Sequence, residues 1–402
     1  MDKAKLEKLR LWSNERIDRT ELGYQRDELK EYDWDLRLMG IKGARGVGKT
    51  TLLLQHLKQQ HGFDEKAIYL SLDDILFTEN RLVDFVEHFH REGGQYLFLD
   101  EVHKYPDWAI EIKNIYDTYP GLQMVFTGSS MLEIHKANAD MSRRAIMYHL
   151  QGLSFRQFLQ LKYNIDLPVL ALEDILAKPN GFIGGLPNDF RPYPLFREYL
   201  ATGYYPFFME GEKWFYDRLS ATIRVVIESD FLFFQNINIR NIRKIYQLLL
   251  VIATSPPFKP NITKLSERTG IARNTLVQYL YYLEQAAVLS LLQSPRKGIT
   301  LLQKPEKVFL ENTNLLYSFS PGQPDIGTAR ETFLYNQLKS KHKINYAEKG
   351  DFLIDGKYIF EIGGSTKSRK QIAGIDNAYI IADQLDYAVG NKIPIWLFGL
   401  IY

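Results

Sequence analysis

The residues best suited to chemistry form one glycine-rich run near the start of the chain, which matches the pattern G-x-x-x-x-G-K-[ST]. Its members, with the residue that follows, are Gly43, Ala44, Arg45, Gly46, Val47, Gly48, Lys49, Thr50 and Thr51. Glycines let backbone N–H groups converge on phosphate oxygens, and a helix N-terminus behind them adds partial positive charge. In this pattern Lys49 reaches the β and γ phosphates and Thr50 binds Mg²⁺. The alternative is an ordinary glycine turn, but the apolar run before the motif and the helical run after it favour a phosphate site.

A phosphate site of this kind needs a second apolar strand that ends in a carboxylate, and residues 96–101 supply one. The run Tyr-Leu-Phe-Leu ends in Asp100 and Glu101. Asp100 is expected to complete the Mg²⁺ site, and Glu101 to orient and deprotonate an attacking water. The alternative is a strand end that carries two solvated acids.

The elements that must position these residues follow from the hydrophobic pattern. Short apolar runs alternate with helical stretches, which predicts an α/β fold with a parallel sheet and helical crossovers. The predicted strands are 36–41, 67–72, 96–99, 123–126 and 145–150. A Pro/Gly-rich stretch, 179–194, predicts a long loop, and residues 241–292 are predicted to be helical. Strand-like runs return at 298–302, 308–310, 352–354, 358–362 and 395–398.

Composition excludes several classes of protein. The 402 residues are 45% hydrophobic and 24% charged, which is typical of a folded chain of two or three domains. The 50 Lys and Arg nearly balance the 48 Asp and Glu, so a nucleic-acid partner would need a local basic patch. Absence of cysteine excludes disulfides and cysteine catalysis. The start of the chain shows no secretory signal, and the most apolar window, 246–253, is too short to cross a bilayer. We therefore expect a cytoplasmic protein with no membrane contact.

The motifs together resemble the AAA-type P-loop ATPases of prokaryotes, and in particular a family that pairs an AAA domain with a C-terminal domain of unknown function. The segments that carry the resemblance are 43–51, 69–74, 99–104 with Trp108, 125–130, 143–144, 152–155 and 203–206. It covers nearly the whole chain and is most evident over 36–160. The resemblance implies ATP and ADP as ligands, Mg²⁺ as cofactor and ATP hydrolysis as the activity.

The resemblance also implies roles for residues outside the two motifs. Thr127 is the first candidate for a polar sensor of the γ-phosphate and Ser129 the second, although a helix cap is an equal alternative. Arg143 or Arg144 is similar to an arginine finger that reaches the nucleotide of a neighbouring subunit, which implies a homo-oligomer. A solvated arginine pair is the alternative for both. His103 is expected to support the site or to lie at the surface, since no second histidine lies at metal-binding spacing.

Two further candidates for functional residues lie before the C-terminal tail. They are a pair of acids and a pair of helices in a basic segment. Asp73 and Asp74 follow an apolar run, where two acids are more often turn residues than metal ligands. Residues 262–278 show a short helix, a glycine turn and a longer helix with polar residues at its start, which predicts a helix-turn-helix within a winged-helix module. Residues 258–307 carry eight Lys and Arg against three Asp and Glu, which suits contact with DNA phosphates. The alternative is a module that docks a protein partner.

The tail resembles the restriction-endonuclease-like fold. Glu331 lies on a helical run, while Asp351 and Glu361 lie at strand candidates, an order similar to acids that hold Mg²⁺ in nucleases. The lysine that should follow the last acid by two positions is replaced by Gly363. Lys367 or Lys370 would have to take its place. The alternative to an active nuclease is a degenerate scaffold that docks DNA or a partner.

The predicted fold is therefore a P-loop NTPase parallel sheet with helices on both faces, followed by a helical and winged-helix module and an α+β nuclease-like domain. The predicted ranges are a helical lead-in (1–35), the ATPase domain (36–160), a helical connector (161–240), the winged-helix module (241–300) and the nuclease-like domain (301–402). The leading function is Mg²⁺-dependent ATP hydrolysis coupled to movement of the C-terminal modules. The alternatives are a nucleotide-gated binding switch with little turnover and an ATP-dependent nuclease.

Overall fold

The computed structural model describes residues 3–128, 141, 143–187, 189–230, 240–255, 260–295 and 304–402. The chain divides into two compact units, residues 1–151 and 152–402.

The first unit is built on a five-stranded parallel sheet in the order β2-β3-β4-β1-β5. Its strands are β1 (Leu38–Lys42), β2 (Ala67–Ser71), β3 (Tyr96–Asp100), β4 (Gln123–Gly128) and β5 (Ile146–His149). Each interior strand is almost wholly apolar and buried, as strands covered on both faces require. The α/β class and the parallel sheet predicted from the sequence are confirmed.

Helices flank this sheet and supply the rest of the first core. They are α1 (Lys3–Arg19), α2 (Glu28–Glu31), α3 (Lys49–Gln60), α4 (Leu76–Glu79), α5 (Leu82–Arg91) and α6 (Trp108–Thr118), with a 3₁₀ turn at Val102–Lys104. Helices α5 and α6 place Phe85 and Ile112 in one apolar cluster with Leu97 and Leu99 of β3. This packing fixes β3, and with it the position of the acids at its carboxyl end.

The second unit begins with a largely helical region. Its helices are α7 (Phe155–Tyr163), α8 (Leu172–Ala177), α9 (Pro179–Ile183), α10 (Pro192–Glu198), α11 (Phe215–Val225), α12 (Arg240–Ala253), α13 (Ile262–Thr269), α14 (Arg273–Gln285), α15 (Thr313–Phe319) and α16 (Ile326–Leu338). Shorter 3₁₀ and π segments lie at Tyr199–Gly203, Pro206–Glu210, Glu212–Trp214, Val226–Asp230, Arg369–Ile372 and Ile395–Leu400.

The second unit also contains a two-stranded antiparallel hairpin and a mixed five-stranded sheet. The hairpin pairs β6 (Leu289–Leu292) with β7 (Lys307–Leu310). The sheet has the order β12-β11-β10-β9-β8. Its strands are β8 (Ile344–Tyr346), β9 (Phe352–Ile354), β10 (Tyr358–Gly363), β11 (Ala378–Ala382) and β12 (Lys392–Pro394). Strands β8 to β10 are antiparallel, and β10 to β12 are parallel.

Several local predictions in the second unit are wrong. The apolar run 395–398 is buried in a 3₁₀ segment rather than a strand, because a short apolar run does not by itself distinguish a strand from a buried helical turn. The stretch 179–194 is not one loop, since α9 and the start of α10 lie within it, each opening on a proline. The predicted strand 298–302 lies outside the described residues. Strands β6 and β7 pair with each other although they lie on opposite sides of the domain boundary predicted at residue 300. The five predicted domain ranges stay a prediction.

None of the helices among the described residues has the length and apolar character needed to cross a membrane.

Candidate active site

The glycine-rich run forms a loop between β1 and α3, at the carboxyl end of the parallel strands. Gly46 and Gly48 have φ values of 85° and 97°, in the left-handed region that favours glycine. A Cβ at Gly43 would collide with the backbone oxygen of Leu150. Helix α3 starts at Lys49, directly after Gly48, so its first N–H groups face the loop. The local geometry is therefore that of a phosphate-binding loop leading into a helix.

Lys49 is buried inside this loop. Its Nζ donates hydrogen bonds to the backbone oxygens of Gly43, at 3.0 Å, and of Ala44, at 2.9 Å. The ammonium is thus held by neutral carbonyl groups at the centre of the loop. An anion that entered the loop would meet a positive charge already directed inward.

Asp100 at the end of β3 is the centre of a hydrogen-bond network. Its Oδ2 accepts from Thr50 Oγ1 at 2.7 Å and from Tyr69 OH at 2.9 Å. Its Oδ1 accepts from Thr127 Oγ1 on β4. The sequence-predicted residues Thr50 and Asp100 therefore lie in direct contact, although 50 positions separate them in the chain. Together with Lys49 they bring the two motifs into one site.

Tyr69 is a site residue that the sequence analysis did not identify as functional. It lies on β2 next to β3 and is buried, and burial together with the neighbouring Asp100 charge raises the pKa of its phenol far above the ordinary value. The group therefore stays protonated and donates to the carboxylate. The signal in the sequence was slight, because a tyrosine in a buried strand is usually a packing residue.

Glu101 has a strained backbone immediately after β3. Its φ is 54°, in the left-handed region that non-glycine residues rarely adopt. Its N–H donates to Thr127 Oγ1 at 3.2 Å, and its Oε2 lies 3.4 Å from Arg45 Nη2. Burial raises the pKa of the Glu101 carboxyl, while the charges of Lys49 and Arg45 oppose that shift.

His103 lies 3.6 Å from the same Glu101 oxygen through its Nε2. The side chain is buried, and burial lowers the pKa of its imidazole to about 2, helped by nearby positive charges. The ring is therefore neutral, and its contact with Glu101 is not an ion pair. This fits the expectation of a supporting residue. Within the described ranges, no group of three or more His, Cys, Asp or Glu side chains is arranged to hold a metal ion.

The two arginines of the predicted finger differ in their surroundings. Arg144 makes a two-point contact with Asp117 on α6, with Nε and Nη2 at 3.0 Å and 2.9 Å from the carboxylate oxygens. Arg143 is exposed. The second sensor candidate, Ser129, lies outside the described residues. Asp73 and Asp74 bond to Ser71 and to the backbone of Leu76, as turn residues do.

The predicted helix-turn-helix segment forms two helices around a left-handed glycine. Helix α13 is capped by the Asn261 side chain, Gly270 has φ 64°, and α14 follows from Arg273. At the start of α14, Arg273 and Asn274 are exposed. Tyr279, further along α14, is buried, and its OH accepts a hydrogen bond from Asn241 at 3.0 Å.

Each of the three acids predicted at the nuclease-like centre of the tail contacts a lysine side chain. Lys307 Nζ on β7 lies 2.7 Å from Glu331 Oε2 and 3.0 Å from Asp351 Oδ1. Lys367 Nζ contacts Glu361 Oε1. A Cβ at Gly363 would lie 2.7 Å from the aliphatic stem of Lys367, so the glycine leaves room for that side chain across β10.

The Lys307 ammonium thus lies between two acids that the sequence analysis placed at a nuclease-like centre. Burial and the charge of Asp351 raise the pKa of Glu331 to about 7, although Lys307 opposes the shift. We call Lys307, Glu331, Asp351, Glu361 and Lys367 the tail charge cluster.

Comparison with known proteins agrees with the geometry of the first unit. Residues 36–159 match the family model described as "AAA domain". The fold is that of a P-loop NTPase. The match of this segment supports an AAA-type ATPase. Residues 193–325 match a second family model, described as "Domain of unknown function (DUF8612)".

Individual relatives are more distant. The chain is 25% identical, over 396 residues, to the "Uncharacterized protein MJ1637" of Methanocaldococcus jannaschii, with 86% of this chain and 82% of that protein covered. It is similar in structure to the Walker-type ATPase PABY2304 of Pyrococcus abyssi, with a TM-score of 0.41, 13% identity and coverage of 77% of this chain and 95% of the other. The AMPPCP-bound DnaA of Aquifex aeolicus gives a TM-score of 0.28, 15% identity and coverage of 64% and 86%.

Proposed function

We propose that the chain is an Mg²⁺-dependent ATPase whose cycle moves its C-terminal modules. The observation that carries the proposal is the 2.7 Å contact between Thr50 and Asp100, beside a loop that holds Lys49 at its centre. A hydroxyl and a carboxylate in contact are the donors with which P-loop enzymes hold Mg²⁺ next to nucleotide phosphates. The match of residues 36–159 to the AAA domain family supports ATP as the nucleotide.

The residues of the candidate site have separate roles in ATP hydrolysis. Loop N–H groups from Gly43 to Thr51 and the start of α3 bind phosphate oxygens, and Lys49 exchanges its two carbonyl partners for the β and γ phosphates. Thr50 and Asp100 would hold Mg²⁺, which would neutralise charge on the phosphates. Glu101 accepts a proton from the attacking water.

Thr127 positions both acids. Its hydroxyl donates to Asp100, and it accepts the backbone N–H of Glu101 at 3.2 Å. These contacts support a role for Thr127 in orienting the acids at the site, in addition to its predicted role as a sensor of the γ-phosphate.

Glu101→Gln tests the proposed chemistry. The amide keeps the size of the side chain but cannot take the proton, so ATP binding should persist while phosphate release falls by at least 100-fold. Unchanged turnover would remove Glu101 from the mechanism.

We propose further that the active form is a homo-oligomer in which Arg143 reaches a neighbouring nucleotide. The contact of Arg144 with Asp117 within its own chain makes Arg143 the better candidate. A trans-acting arginine predicts that activity per chain rises with protein concentration.

The C-terminal modules act on DNA or on a protein partner. Exposed Arg273 and Asn274 lie at the start of α14, the position from which a recognition helix contacts base edges, and this supports a winged-helix module that binds DNA. A gel shift with and without ATP tests the assignment. If DNA neither shifts nor stimulates hydrolysis, the module docks a protein.

A nucleotide-gated switch with little turnover is the second candidate, and the contact between Arg45 and Glu101 favours it, because it restrains the general base. Measurable ATP binding without turnover would support the switch. Nuclease activity is the third candidate and has the least support, because Lys307 lies between two of the acids expected to hold Mg²⁺. A plasmid that stays intact with Mg²⁺ and ATP would dismiss it, whereas nicking lost in Glu361→Ala would support it.

A further inference from the structure

Arg45 belongs to the phosphate loop, yet its guanidinium contacts the proposed general base. Nη2 lies 3.4 Å from Glu101 Oε2, and the two side chains are 26% and 18% exposed. The acid is held from its backbone side by the bond to Thr127 and by the left-handed turn after β3. The contact therefore joins a long side chain with several rotatable bonds, that of Arg45, to a carboxylate whose own backbone is held in place.

The contacts of the two loop cations indicate what a bound phosphate would displace. Lys49 is bonded to backbone carbonyls, which are neutral. Arg45 contacts a carboxylate, and the nearby His103 ring is neutral. A γ-phosphate would therefore compete with Glu101 for Arg45.

Arg45 stands two positions after Gly43 and four before Lys49, within the segment that surrounds bound phosphates. Guanidinium groups bind phosphate oxygens in a bidentate manner, and they do so more strongly as the charge on the phosphate increases. A terminal phosphate of a triphosphate is thus a better partner for Arg45 than a partly exposed carboxylate.

We propose that Arg45 senses the γ-phosphate. On binding of a nucleoside triphosphate it leaves Glu101 for the terminal phosphate, which favours the triphosphate over the diphosphate and frees the base only when there is a phosphate to hydrolyse. This inference rests on the proposed function, because it requires that the loop bind nucleotide.

The exchange of partners has a thermodynamic consequence. Because the contact with Glu101 must be broken when the triphosphate binds, removing the charge of Glu101 should tighten triphosphate binding. A partly exposed ion pair of this kind corresponds to a change of about fivefold in affinity. The same substitution should have almost no effect once Arg45 is absent.

A double-mutant cycle tests the coupling. The dissociation constants of a non-hydrolysable ATP analogue and of ADP are measured by calorimetry for the wild type, Glu101→Gln, Arg45→Gln and the double variant. We expect Glu101→Gln to tighten analogue binding about fivefold with Arg45 present and less than twofold with Arg45→Gln. We expect Arg45→Gln alone to weaken analogue binding about tenfold and ADP binding less than twofold.

Two further variants control the cycle. Lys104→Gln removes a nearby positive charge that lies outside the loop, and it should change neither constant by more than about twofold. Arg45→Lys keeps the charge without the planar fork, so it should recover part of the preference for the triphosphate. It also supplies a readout if Arg45→Gln does not fold.

The outcomes separate the two proposals. If the wild type binds neither nucleotide, the proposed function fails. If the wild type binds both, but Glu101→Gln has the same effect with and without Arg45, the sensing role is overturned. Equal weakening of analogue and ADP binding by Arg45→Gln would also overturn it.

Discussion

Replacement of Lys307 by methionine removes one of the two lysines of the tail charge cluster. The ammonium lies 2.7 Å from Glu331 and 3.0 Å from Asp351, and the three side chains are 14%, 15% and 20% exposed. Removing one partner of a buried ion pair costs about 3–5 kcal/mol, because a charge is left without compensation. The residual exposure of these side chains places the expected cost at the lower end, about 3 kcal/mol at pH 8.5.

The cost should depend on pH in a direction set by Glu331. Its pKa in the folded protein is raised from 4.5 to about 7, so the folded state binds this proton more tightly than the unfolded chain does. Stability from this group is therefore greatest below pH 4.5 and is lost as the pH rises toward 7. At pH 5.5 Glu331 is protonated in the folded state, so Lys307→Met loses mainly the contact with Asp351. The expected cost at that pH is about 1 kcal/mol.

Hydrogen exchange measures this effect locally, which suits a chain of two units that need not unfold together. Peptides covering β7 and α16 should exchange about 100-fold faster in Lys307→Met than in the wild type at pH 8.5, after correction for intrinsic rates, and less than tenfold faster at pH 5.5. Lys357→Met, at an exposed position of the same unit, is the control and should change neither rate. Unchanged exchange at pH 8.5, or equal acceleration at both pH values, would refute the role given to Lys307.

Three shorter predictions concern the proposed ATPase and DNA contacts. Tyr69→Phe removes one of the donors to Asp100 and should raise the Mg²⁺ concentration for half-maximal ATP turnover about fivefold; an unchanged Mg²⁺ titration would show that the phenol does not orient the acid. Arg143→Ala should lower turnover by at least 100-fold without changing ATP binding, whereas Arg144→Ala should act mainly on stability, by about 1 kcal/mol. The reverse ranking in steady-state assays would exchange their roles. Arg273→Ala should weaken duplex DNA binding at least fivefold at fixed salt, and equal gel shifts for variant and wild type would remove α14 from a DNA interface.

Much of the first unit could be predicted, because its local signals agree with one another. The apolar runs before Gly43 and Asp100 are strands, and the loop leads into the predicted helix, which begins at Lys49. Such agreement among pattern, turn chemistry and motif is typical of segments that fold as their sequence suggests. The two motifs assigned Thr50 and Asp100 to one Mg²⁺ site, and their side chains lie 2.7 Å apart.

Other contacts in the two units were not predicted, because they join residues far apart in the chain. Tyr69 approaches Asp100 because β2 happens to be the neighbour of β3, and Lys307 enters the tail charge cluster from β7. No spacing rule relates these positions. In the tail, the run 395–398 is apolar and buried whether it forms a strand or a 3₁₀ turn, so its periodicity could not decide the outcome.

Phosphate release from ATP, measured against protein concentration with and without duplex DNA, tests the central claim most directly when wild type and Lys49→Ala are compared. We expect turnover in the wild type that requires Mg²⁺, rises with concentration or with DNA, and disappears in Lys49→Ala. Turnover that survives in Lys49→Ala would contradict the proposed site, and wild-type protein that binds ATP without releasing phosphate would contradict the enzyme and favour the switch.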